Sequence, residues 1–164
     1  MNQLMVSLIA AIGGWLVALV LAITSYLERR SQRKQELLLS GLGYLTGGSQ
    51  KRSVGIAIIE GLWPSAVRFR RSLVPALTNQ ALYLLLESDE GDARHEFHNW
   101  LRIMNLLLST NREDDFHDLY RELANALVIR IEDGKHKRGI EMTPTTARAW
   151  LRKVEEFGGF ESIS

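Results

Sequence analysis

The chain contains no cysteine. A disulfide framework and a thiolate metal site are therefore both excluded, and a reducing compartment suits it. Only three prolines occur among 164 residues, so little interrupts a helix. The chain lacks a phosphate-binding loop, a dinucleotide fingerprint and a G-x-S-x-G elbow. The Gly41-Leu42-Gly43 fragment stands alone inside a leucine-rich run. The nucleophile candidates left are Ser and Thr, and none has a neighbouring base motif. These absences argue against an enzyme and imply no cofactor and no metal. Charge is also missing from one end, where no charged side chain precedes Glu28.

Hydrophobic residues make up 46% of the chain and charged residues 24%, the balance of a folded rather than a disordered protein. Residues 4–27 form a run of 24 without a charge. As a helix that run is about 36 Å long, against about 30 Å of bilayer hydrocarbon. It reads as a transmembrane anchor. A cleaved signal peptide would need a basic start, a shorter run and a small-residue cleavage site. Arg29, Arg30, Arg33 and Lys34 follow the run and nothing basic precedes it apart from the terminal amine. The positive-inside rule then expects a single-pass inner-membrane protein, N-terminus outside and C-terminal domain cytoplasmic. Ala10, Gly14, Ala18 and Ala22 recur every four residues, a small-residue stripe suited to close helix packing with a second copy or a partner's helix.

Charge is unevenly placed. From Glu28 to Arg71 there are nine basic and three acidic residues, and from Ser72 onward eleven basic and sixteen acidic. A basic collar next to the anchor, comprising Arg29, Arg30, Arg33, Lys34, Arg68, Arg70 and Arg71, fits an anionic lipid surface. The acidic remainder argues against nucleic acid as a partner.

The rest of the chain reads as helix, in an all-α fold with a small antiparallel domain. Residues 28–48 make a charged juxtamembrane helix and linker, with Leu38, Leu42 and Leu45 on one stripe and Gly47-Gly48 as the stop. Residues 49–159 make the helical domain. Ser49 is the expected cap of a helix over 50–63, ended by Pro64. A helix over 72–88 carries Pro75 in its first turn. A third over 93–108 places Phe97, Trp100, Leu101, Met104, Leu107 and Leu108 on one face. Thr110 to Glu113 fits a capping box for a helix to about 133, with Phe116, Leu119, Tyr120, Leu123 and Leu127 inward. Thr143 caps a last helix with Pro144 at its first position, Trp150, Leu151, Val154 and Phe157 buried, and Gly158-Gly159 at its end. Residues 160–164 read as a loose tail.

Lys51-Arg52-Ser53-Val54-Gly55-Ile56-Ala57-Ile58-Ile59-Glu60, a basic start running into a small and aliphatic helix, and the second apolar helix over 73–86 carry a resemblance. Residues 35–88 resemble the HEAT- or armadillo-like helical hairpin of membrane-anchored bacterial proteins of unknown function. The resemblance covers about a third of the chain and implies a scaffolding or protein-binding role.

Candidate chemistry is sparse. His95-Glu96-Phe97-His98 is one residue short of the H-E-x-x-H zinc signature. Asp92 with His95 and Asp114 with His117 echo di-iron bundle pairs, but both stand at helix starts, where a carboxylate is favoured by the helix dipole. The basic clusters 68–71 and 135–138 suit a solvated or membrane-facing patch. The expected function is a membrane-tethered scaffold or adaptor for a cytosolic protein. The alternative is a membrane effector whose transmembrane helix oligomerises to alter permeability.

Overall fold

A computed structural model describes residues 3–88, 93–110, 116–132 and 138–160, with the side chains of 3–18 and of residue 93 excepted. Six α-helices follow in order: α1 (Gln3–Leu45), α2 (Ser49–Leu62), α3 (Arg70–Leu86), α4 (Ala93–Leu108), α5 (His117–Glu132) and α6 (Pro144–Gly158). Two short 3-10 turns, Trp63–Ser65 and Val67–Phe69, join α2 to α3. No strand occurs among the described residues, so the all-α expectation holds.

The chain divides into two compact units, Met1–Leu39 and Ser40–Ser164. The first is the greater part of α1. Its described side chains, from Leu19 on, are mostly exposed. The second is a packed helical domain that begins inside α1.

The transmembrane anchor requires correction. Among the described residues, no helix is long and apolar enough to cross a membrane. The described side chains of α1 start at Leu19, and Glu28 ends the uncharged stretch after nine residues. That is about 14 Å of helix, roughly half the hydrocarbon thickness. The remainder of the expected span, 4–18, lies outside the described side chains. The single-pass topology and the inner-membrane placement inferred from it fall with the span.

In the second unit α3 is central, packing on α4 and on α5; α2 packs on α4, and α5 on α6. The chain order therefore is not the packing order, and α2 finds its main partner in α4. Leu73, Val74, Leu77, Ala81, Leu84 and Leu85 make the buried face of α3. They meet Trp100, Ile103, Met104 and Leu107 of α4 and Leu123 and Leu127 of α5 in a core with almost no solvent access. Burying side chains of this size stabilises by about 1.5–3 kcal/mol each. On α4 the buried arc is turned from the expected one: Ile103 and Leu106 are inside, while Phe97, Leu101 and Leu108 are half-buried.

Helix ends follow local chemistry in most places. Thr143 caps α6, its hydroxyl accepting from Thr146 N–H at 3.2 Å, with Pro144 next and Gly159 at φ 68° closing the end. Gly47 N–H donates to Tyr44 O at 3.1 Å as α1 stops. Two caps differ from expectation. Gly48 rather than Ser49 is the N-cap of α2, and no side chain caps it. Thr110 turns back to donate to Leu107 O at 2.7 Å and meets Tyr120 Oη at 2.9 Å, so its hydroxyl closes α4. Glu113 lies outside the described residues. Pro75 sits in the second turn of α3, because the 3-10 turns run straight into a helix that starts at Arg70.

The segment after α5 is pinned to α3. Gly139 N–H donates to Ser88 O at 2.7 Å and Ile140 N–H to Leu84 O at 2.9 Å, satisfying carbonyls at the end of α3. Gly139 has φ 85°, and a Cβ there would stand 2.2 Å from Leu85 O, so only glycine fits. The buried Arg130 guanidinium holds the same segment through Arg138 O at 3.1 Å and Ile140 O.

Candidate functional site

The last turn of α1 crosses α2 where both helices carry glycine. A Cβ on Gly55 would stand 2.5 Å from Gly41 O, and one on Gly41 would stand 3.2 Å from Ile58 Cγ2. The two backbones therefore approach as only glycines allow. That crossing brings the end of α1 over Arg52, the fourth residue of α2.

Arg52 is 5% exposed, and every nitrogen of its guanidinium is engaged. Nε donates to Leu45 O at 3.1 Å and Nη2 to Gly47 O at 3.0 Å. Nη1 pairs with the Glu96 carboxylate of α4. Gln80, with its amide oriented to satisfy both neighbours, accepts from Arg52 Nε at 2.9 Å and donates to Leu45 O at 3.3 Å. The Tyr83 ring lies 5.6 Å from the guanidinium, within cation–π range. A cation in the first turn of a helix opposes that helix's dipole. Here it meets the free carbonyls at the end of α1, where a cation is favoured. Arg52 thus joins α1, α3 and α4 to its own helix α2 around one buried ion pair.

The α2–α4 seam continues from this pair. Ser53 Oγ donates to Asn99 Oδ1 at 2.6 Å, and Asn99 Nδ2 donates to Ser49 O at 3.2 Å. Nearer to solvent, Arg102 donates to both carboxylate oxygens of Glu60, Nε to Oε1 at 3.0 Å and Nη2 to Oε2. The pattern fixes how α2 slides and turns against α4, since a one-residue slip would strand buried polar groups.

Beside Arg52 lies an open groove of about 570 Å³, lined by Leu42, Leu45, Thr46, Arg52, Ala76, Asn79, Gln80 and Tyr83. Ala76, Asn79, Gln80 and Tyr83 recur at 0, 3, 4 and 7 along α3, so they share one face. Leu42 and Leu45 in the last turn of α1, with Thr46 just beyond it, form the opposite wall. Two helix faces thus flank a mostly apolar trough, with two amides on one side. The Arg52 charge at its edge is already paired with Glu96.

The site residues expected from sequence are not gathered into one place. Ala10, Gly14 and Ala18 lie outside the described side chains, and Ala22 is exposed. Arg29, Arg30 and Arg33 are exposed and Lys34 half-buried, all in the first unit. Arg68, Arg70 and Arg71 belong to the second unit. Arg68 and Arg71 are exposed, whereas Arg70 lies over the Trp63 ring at 5.6 Å. His95 and His98 face solvent on either side of the buried Glu96. No group of three metal-binding side chains occurs among the described residues; Asp92 and Asp114 lie outside them. His117 stacks edge-on against Phe160 at 5.1 Å, the first residue of the expected tail.

Arg52, Gln80 and Tyr83 line the groove and Glu96 pairs with Arg52 beneath it; the sequence pattern assigns none of the four a site role. One signal was present for Glu96: it stands four residues before Trp100, in line with the buried stripe of α4.

No protein-family model matches the chain, and neither a curated protein nor a solved structure is significantly similar to it.

Proposed function

We propose that the chain is a non-enzymatic helical adaptor whose packed unit binds a protein partner in the groove between the end of α1 and α3. The observation that carries this is the groove itself: two helix faces around a mostly apolar trough of about 570 Å³, with no unpaired charge from Arg52 inside. Such a trough favours apolar side chains presented at helical spacing, the helix-in-groove mode of recognition. Tyr83, 40% exposed at its edge, is the residue type that anchors protein interfaces. Asn79 and Gln80 offer hydrogen bonds that set register. The polar seam and the Gly41–Gly55 crossing hold the two walls at fixed separation, so binding would cost little reorganisation.

The test replaces Asn79, exposed on the groove wall, with a photo-crosslinking residue in the full-length chain. A discrete protein adduct is expected, abolished when Ala76→Arg fills the groove. An adduct that survives Ala76→Arg, in a variant with an unchanged helical spectrum, would contradict the reading.

A further inference from the structure

The first unit carries a second surface that the groove does not involve. Leu19, Val20, Ile23, Tyr26 and Leu27 are between 50% and 65% exposed. At ~100° per residue they fall within about 120° of one another around α1, the width of a face that normally packs on a neighbour. Outside that arc stand Ala22, Thr24 and Ser25, with only Leu21 as a large apolar group. Continuing along the helix, Arg30, Arg33 and Lys34 fall within about 20° of the same arc, and Leu37 returns inside it, in line with Leu19. The acidic residues of this stretch, Glu28 and Glu36, point elsewhere by the same count. The face thus reads apolar for two turns, basic for the next and apolar again at Leu37, which is 50% exposed.

We infer that this face of α1 docks an amphipathic helix of a protein partner whose leucine-type stripe is followed, on the same side, by acidic residues. Charge complementarity selects this occupant. The apolar turns alone would accept any aliphatic helix, but the basic turn demands carboxylates where the partner passes Arg30, Arg33 and Lys34. A second copy aligned in parallel would set these three against their equivalents, like charge on like charge. The electrostatic part of the interaction rests on the exposed Arg30 and Arg33 and the half-buried Lys34, so it weakens as salt rises.

The experiment uses the full chain and two synthetic helical peptides with the same leucine stripe. One carries glutamate at i, i+3 and i+4 beyond the stripe, and the other carries lysine there. The acidic peptide is expected to bind about tenfold or more tightly than the basic one at low salt. Arg30→Glu with Arg33→Glu, both at exposed positions, should invert that preference. Equal binding of the two peptides would overturn the inference, as would binding of neither. So would binding of anionic lipid vesicles that the acidic peptide fails to displace, or dimerisation that blocks the peptide.

Discussion

The two units of this chain handle the same residue types in opposite ways. In Met1–Leu39, aliphatic side chains at 19–27 stand in solvent and Arg29, Arg30 and Arg33 beside them are exposed. In Ser40–Ser164, aliphatic side chains fill a core between α2 and α6, and two charges, Arg52 and Glu96, are taken into it together. The difference shows what makes a helix part of a domain. α1 winds through 43 residues with most of its described side chains in solvent, but only complementary faces, close glycine crossings and satisfied polar groups make helices cohere.

Substitutions can break this contrast, and their expected effects differ in size. The largest belongs to the buried pair. Glu96→Ala leaves the Arg52 charge buried and unpaired, and should cost about 3–5 kcal/mol of stability in urea unfolding. Replacing both partners, Arg52→Met with Glu96→Leu, should recover part of that loss, because no charge is then stranded. The helix crossing comes next. Gly55→Ala puts a methyl group 2.5 Å from Gly41 O and should cost about 1–3 kcal/mol through displaced backbone. Thr143→Ala removes the α6 cap and should lower stability by about 1 kcal/mol. The smallest effect belongs to the other unit. Ile23→Ser removes an aliphatic side chain that is 50% exposed, and the unfolding midpoint should move by less than about 0.5 kcal/mol equivalent. A larger shift there would show that the face is covered in the free protein.

How much of this could be read in advance follows the range of each interaction. Local signals served well: the α4 limits, the Thr143–Pro144 start and Gly159 end of α6, and the Gly47-Gly48 break all depend on neighbours within a few residues. Signals that depend on a distant partner did not. Glu96 lies 44 residues from Arg52, and no periodicity says which of many exposed-looking charges will turn inward. Thr110 is a cap-type residue whose local rule yielded to tertiary context, the Tyr120 hydroxyl, whereas at Ser49 the helix begins one residue earlier than its cap-type side chain indicates, with Gly48 as N-cap. The charge-free run was legible as hydrophobic, yet its described part offers only nine uncharged residues before Glu28. The groove needed two helix faces, on α1 and α3, that sequence alone does not place side by side.

The most direct test of the two-unit account is native-state hydrogen exchange on the full chain, resolved by segment. Amides in the buried parts of α3 and α4, around Leu77, Leu84, Trp100 and Leu107, should exchange only through global unfolding. Amides over 19–37 should exchange through local opening, roughly a thousandfold faster or more. Equal protection in both places would contradict the account, because it would mean that the exposed face of α1 is already packed into the cooperative unit.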